Sequence, residues 1–243
     1  KCVSGGLIRI NEIRAAYREQ GFSVIPCHIV TRERDLRNPL DQRLRWFDRI
    51  RKKHWGAPRN IGQIRLAWAT RHTNFYANRI IAGLAESVDI IQIEHPWLIH
   101  LALTIQKSTK LKHPKIIYSA HNIESELHAQ LWGELESAKY LIKAILETEL
   151  HAIQSADLCW GVSDSEVSWF KKHGAKEAIH VPNGCREIQK AGTERLIDQP
   201  YALFVGGNFK PNVDGFMEWI GNHISNVAAE GVIAIAGDVG RAL

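Results

Sequence analysis

The chain alternates between short apolar runs and longer stretches in which apolar residues recur every three or four positions. VDIIQIE (88–94), KIIYSA (115–120), ADLCWGV (156–162) and AIHVPNG (178–184) are runs of strand length bounded by polar or turn residues. FSVIPCHIV (22–30) reads as a further strand, interrupted by Pro26. The intervening spacing is helical. Leu7, Ile8, Ile10, Ile13 and Ala16 predict a helix after Gly5-Gly6, ended by Gly21. One or two amphipathic helices are expected over 61–86, and others over about 97–107, 123–133 and 135–155. Ser163 and Asp164 are N-cap candidates for SEVSWFKKHG, which Gly174 closes. Strands alternating with helices in this way predict α/β architecture built on a parallel sheet.

Residues 185–199 are polar and lack a strong pattern, and Pro200 ends them. They predict a linker over 185–200, between a first domain at 1–184 and a second that begins at 201 and runs to 243. YALFVGG (201–207), the helical PNVDGFMEWIGNHI and the apolar GVIAIAG (231–237) start that second α/β unit. The chain opens without an initiator Met and closes without a terminal helix. The expectation is a piece of a longer protein, with the first strand of the first domain missing and the second domain only partly present.

Ligands of open parallel sheets bind beyond the carboxyl ends of the strands. There the sequence places Gly5-Gly6, Glu94-His95, His121-Asn122, Ser163-Asp164, Asn183-Gly184 and Gly206-Gly207. Each has an ordinary explanation. Gly-Gly is a turn, a strand-end His is a hydrogen-bonded structural residue, Asn-Gly is a turn signal and Ser163 is a helix cap. As an ordered set they describe a cleft between two Rossmann-like domains. Glycines let backbone N–H groups approach a phosphate, and helix N-termini favour its charge. A net charge of +5 likewise favours anionic partners without choosing among them.

The set resembles a family. GG before the first helix, DIIQIEHP, YSAHNIESEL, ADLCWGVSDSE, IHVPNG and ALFVGGNFKPNVDG occur in the order found in retaining group-1 glycosyltransferases of the GT-B fold. The subgroup with Pro-Asn near the start of the second domain is the most similar, and it acts in bacterial polysaccharide or glycoconjugate assembly. The resemblance implies transfer of a sugar from a nucleotide-diphosphate sugar to a glycan or lipid-linked acceptor, with retention of configuration and without a metal or further cofactor. The first domain would hold the acceptor and the second the donor. By position, His121 matches the cleft histidine that contacts the transferring sugar, and Gly5 and Gly6 would approach donor phosphate or acceptor. Glu94, His95, Asn122 and Ser163 would line the cleft. Asn183 and Gly184 match the turn leading out of the first domain, and Gly206, Gly207 and Lys210 would open the donor half.

Such transfer builds charge on the leaving phosphate and on the anomeric carbon. Fixed N–H donors and cations stabilise that phosphate, each oxyanion-type donor contributing ~3–4 kcal/mol. His121 is expected to orient the donor through a sugar hydroxyl, with its backbone carbonyl toward the anomeric centre, rather than to act as general base. The sequence departs from the family pattern in three places. The usual Arg–Lys pair early in the second domain is represented by Lys210, with Arg241 further on; Cys185-Arg186 follows Asn-Gly in place of Val-Asp; and the E-x7-E pair would lie beyond residue 243. Two other readings stay open: a catalytically silent GT-B-like module that binds lipid or a partner, and a nucleotide-sugar 2-epimerase.

Residues 31–60 hold ten Lys or Arg against four Asp or Glu. Within them a helix over 43–55 would interleave Trp46, Phe47, Ile50 and Trp55 with Arg43, Arg45, Arg49, Arg51, Lys52 and Lys53, setting an apolar face beside a basic one. It reads either as a solvated helix docked by its aromatics or as contact with an acidic membrane surface. No nucleic-acid-binding motif accompanies it. Cys2, Cys27, Cys159 and Cys185 form no C-x-x-C pair, and no apolar run approaches membrane-spanning length. The expectation is a cytoplasmic protein, peripheral at the inner face of the membrane if the basic stretch binds lipid.

Overall fold

In the computed structural model the described residues are 5–45, 62–85, 87–108, 110–133, 135–184, 197–227 and 232–241. They form two compact units, one spanning Gly6–Gly184 and the other holding the described residues from 197 onward. Both are α/β with parallel sheets.

The larger unit is built on four strands: β3 (Ile90–Glu94), β4 (Lys115–Ser119), β5 (Leu158–Gly161) and β6 (Ala178–His180). Their order in the sheet follows the sequence and every pairing is parallel. Helices cover the connections: α1 (Gly5–Glu19), α2 (Gly62–Arg71), α3 (Phe75–Gly83), α4 (Ile99–Gln106), α5 (Glu124–Trp132), α6 (Glu136–Ser155) and α7 (Asp164–Lys172). The central β4 is buried on both faces, as an apolar run in a covered parallel sheet should be. Ile116 and Tyr118 pack with Ile99, Ile153, Cys159 and Phe170 in the main core. Each such fully buried side chain stabilises the fold by about 1.5–3 kcal/mol.

Several boundaries differ from the sequence expectation. Of the strand expected at 22–30 only β1 (Ile29–Val30) forms, paired in parallel with a two-residue β2 (Gln42–Arg43). Pro26 offers no N–H to a ladder, and Phe22 and Ile25 lie exposed. The strand expected to run to 184 stops at His180, two residues before Pro182. Arg43 belongs to β2 rather than to a helix, and the rest of the expected basic helix, 46–55, lies outside the described residues. Most of the expected linker, 185–196, also lies outside them. Gly5 and Gly6 sit in the first turn of α1 rather than in a loop before it.

The apolar pattern also misjudged the inner face of α1. Leu7 and Ile8 are 46% and 47% exposed, whereas Arg9 is 5% exposed. The helix turns a guanidinium inward because acceptors wait for it there.

The smaller unit pairs β7 (Tyr201–Val205) with β8 (Val232–Ala236) in parallel, joined through α8 (Lys210–Val227). Phe204 stacks on Phe216 at 4.5 Å between ring centroids, which seats α8 on the sheet. No helix among the described residues is long and apolar enough to cross a membrane.

Candidate functional site

The carboxyl ends of β3 and β4 bring two imidazoles and two carboxylates together. Glu94 is the last residue of β3, and His95 follows it. The ladder continues one step beyond the strand, since the His95 N–H donates to the Ser119 carbonyl at 3.2 Å. The backbone then turns sharply: His95 has φ 65° and ψ 162°. The following Pro96 confines ψ to extended values, and the ladder bond fixes the N–H. That conformation is nearly a glycine preserve and costs about 1–3 kcal/mol. It aims the His95 ring at α5, where Nδ1 meets Glu124 Oε1 at 2.6 Å.

His121 lies two residues past β4. Its Nε2 meets Glu94 Oε2 at 2.8 Å, and its ring lies 4.2 Å from that of His95 at an interplanar angle of 29°. The pairing is crossed: each histidine takes the carboxylate that belongs to the other's segment. Burial pushes the Glu94 carboxyl up, but hydrogen bonds from His121 and Gln92 outweigh it and hold the group below its usual range. An ionised carboxylate only accepts, so the Nε2 of His121 carries the proton. In the neutral ring Nδ1 is then the acceptor. Nδ1 faces Gly6, where a Cβ would stand 3.0 Å away. Any larger residue at 6 would press on the His121 ring.

Glu124 is itself held. No side chain at position 123 caps α5; instead Glu149, on α6, accepts from the Glu124 N–H at 2.6 Å. It also accepts from the Ser125 N–H at 3.1 Å and from the Ser125 hydroxyl at 2.7 Å. Burial raises the Glu149 carboxyl to about 6, against the lowering by these donors. His128, one turn along α5, donates from Nδ1 to the Glu124 carbonyl at 2.8 Å.

Arg9 closes the other side of this edge. Its Nη1 donates to the carbonyls of Val181 and Pro182 at 2.9 and 3.2 Å and to Asn183 Oδ1 at 3.1 Å. Its Nε and Nη2 are buried and find no hydrogen-bond partner. Burial lowers its pKa, partly offset by the fields of Glu94 and Glu166. Tyr17 extends the contact, donating to Gln92 Oε1 at 2.7 Å and stacking on Trp160 at 6.2 Å.

Of the residues expected at the site, Gly6, Glu94, His95 and His121 therefore form one connected group, and Asn183 is held by Arg9. Asn122 is exposed beside them, while Gly5 and Gly184 are exposed. Ser163 serves as the N-cap of α7, accepting from the Glu166 N–H at 3.3 Å. In the smaller unit the Gly206 N–H donates to Ala236, and its carbonyl accepts from Val239. Gly237, at φ 98°, packs so closely on that carbonyl that no Cβ fits. Gly207 is exposed, and Lys210 pairs with Asp214 one turn along α8. Arg9, Glu124 and Glu149 escaped the sequence reading. Among the described residues no group of three or more His, Cys, Asp or Glu is placed to hold a metal ion.

The sequence matches no protein-family model and no curated protein.

Proposed function

We propose that the chain belongs to a metal-independent retaining glycosyltransferase of GT-B type, using a nucleotide-diphosphate sugar donor and a glycan or lipid-linked acceptor. The observation that carries this reading is the Gly6–His121–Glu94 arrangement at the carboxyl edge of a parallel sheet. An imidazole is fixed there by a carboxylate and approached by the first turn of a helix, where the field favours anionic or hydroxylic ligands. The order of sequence segments, HNIE through VPNG to FVGG, supports the same reading. In it, His121 and Glu94 set the floor beneath the transferring sugar, and Gly6 packs against Nδ1 and fixes the ring. Arg9 adds a fixed cation with two unpartnered nitrogens. Gly206, Gly207 and Lys210 begin the donor half.

A second reading is a catalytically silent module of the same shape. It is favoured by the burial of the His121 side chain, which is only 7% exposed. Turnover separates the two. Protein expressed from the whole reading frame is incubated with a panel of nucleotide-diphosphate sugars and extracted membrane lipids, and nucleoside diphosphate release is followed. A transferase releases the diphosphate with at least one donor, and His121→Ala lowers the rate without lowering the melting temperature to the assay temperature. Absence of release and of any donor-induced thermal shift would leave the silent module.

A further inference from the structure

Away from the strand ends, α2, α4 and α6 line an open cavity of about 230 Å³. Its charged lining is lopsided. Arg71 ends α2 and His72 follows it; His100 comes from the first turn of α4; Lys143 and Glu147 come from α6. Trp68 and Tyr140 complete the wall. Behind His100 stands His151, with 4.6 Å between ring centroids. Among the described residues Arg71, His72, His100, Lys143 and His151 make no ion pair with a carboxylate, and Glu147 is the one acid in the lining.

We propose that this cavity binds a phosphoryl group, presented either by a free phosphate compound or by a lipid headgroup. Two imidazoles in ring contact cannot both charge without a counterion, and two further cations and a third imidazole share the space. Consistent with that crowding, His100 is pushed down to about 4 by burial and by the fields of His151, Arg71 and His72. His151 is lowered by burial, Arg71 and Lys107. A phosphate dianion reverses the balance: it accepts from the His100 imidazolium and from the Arg71 fork, and its charge offsets the repulsion that His151 adds from behind. The aromatic wall suits a ligand that carries an organic group on the phosphate. The site does not depend on the proposed transferase activity and uses none of its residues.

The test is NMR of the histidine ring protons of the whole protein, assigned through His100→Gln and His151→Gln, with inorganic phosphate as probe and chloride at matched ionic strength as control. Saturable shifts at both rings are expected, with the His100 titration midpoint rising by about one unit or more. Arg71→Ala with Lys143→Ala, both at exposed positions, should weaken phosphate at least ~10-fold, and Glu147→Gln should tighten it severalfold. Pelleting with phosphatidic acid vesicles but not phosphatidylcholine vesicles, competed by phosphate, would assign the headgroup. Phosphate binding without pelleting would assign a free ligand. Shifts that do not saturate, or that survive the double substitution, would overturn the proposal.

Discussion

His95 and His121 lie face to face with 4.2 Å between ring centroids, and each is held by a carboxylate from the other's segment. Glu94 precedes His95 but binds His121; Glu124 follows His121 but binds His95. The exchange stitches the β3 exit to the β4 exit twice. Neither ring can swing without leaving a mostly buried carboxylate short of a donor, which costs several kcal/mol. The strand ends therefore form a rigid floor rather than a pair of loose loops.

The backbone at 95 gives the first prediction. Its φ of 65° suits glycine and strains any other residue. Both His95→Ala and His95→Gly lose the bond to Glu124, but only Gly also relieves the strain. His95→Gly should be more stable than His95→Ala by about 1–2 kcal/mol, as measured by urea unfolding. Equal stabilities would show that the backbone relaxes once the ring is gone.

Gly6→Ala tests the approach of α1 to His121. Helix propensity alone would favour alanine by about 1 kcal/mol. The added Cβ, however, would stand 3.0 Å from Nδ1. The ring must shift by a few tenths of an ångström, against its bond to Glu94. The expected result is near-wild-type stability with a displaced His121 ring resonance and, on the proposed function, a rate lowered ~10-fold or more. An unchanged resonance would mean that the helix, not the ring, gives way.

Glu149 makes stability fall as pH rises. Its carboxyl is raised from an ordinary 4.5 to about 6 in the fold. The folded state therefore holds this proton more tightly than the unfolded state does. The contribution is complete below about pH 4.5 and is lost as pH climbs through about 6; a shift of this size corresponds to roughly 2 kcal/mol. Glu149→Gln should flatten that part of the stability profile. It should change stability least at low pH, where the protonated carboxyl, like the amide, presents only one strong acceptor oxygen to the α5 N-terminus.

Asp41 behaves in the opposite sense. Its enclosed carboxylate accepts from the N–H groups of His28, Arg37 and Asn38, each at 2.8 Å, and pairs with the His28 ring at 2.9 Å. Burial alone would raise its pKa, but these donors lower it well beneath the usual carboxylate range. Its contribution is present above about pH 4 and is lost as the solution is acidified further. Asp41→Ala should destabilise by about 3 kcal/mol or more at neutral pH, and thermal melts between pH 2 and 7 would show a shallower acid limb than wild type. Parallel acid limbs would exclude this role.

The parallel sheet was legible because its buried strands are uninterrupted apolar runs, as in Ile116-Ile117-Tyr118. The strand ends were legible because polar residues follow those runs directly. The crossed partners were not, because adjacency in sequence suggests Glu94 with His95 and says nothing of a residue 27 positions away. Arg9 was hidden between Ile8 and Ile10, whose apolar character pointed to the wrong face of α1. Glu149 looked like one more charge on an amphipathic helix. Its role depends on α6 passing the N-terminus of α5, a fact of packing and not of pattern. The strand expected from Phe22 failed because strand propensity does not provide a partner strand.

Arg9 lies in the second turn of the first helix, yet the carbonyls and amide that receive it are 172 to 174 positions later. During synthesis that guanidinium has no acceptors until the last strand of the unit has emerged. The helix that carries Gly6 is therefore expected to settle only after residues 181–183 are in place, since contacts so distant in sequence are costly to form early. The Arg9 contact also brings the two ends of the unit side by side. Joining them and opening the chain at an exposed loop should keep the site intact, whereas trimming past Val181 would release the helix that carries Gly6.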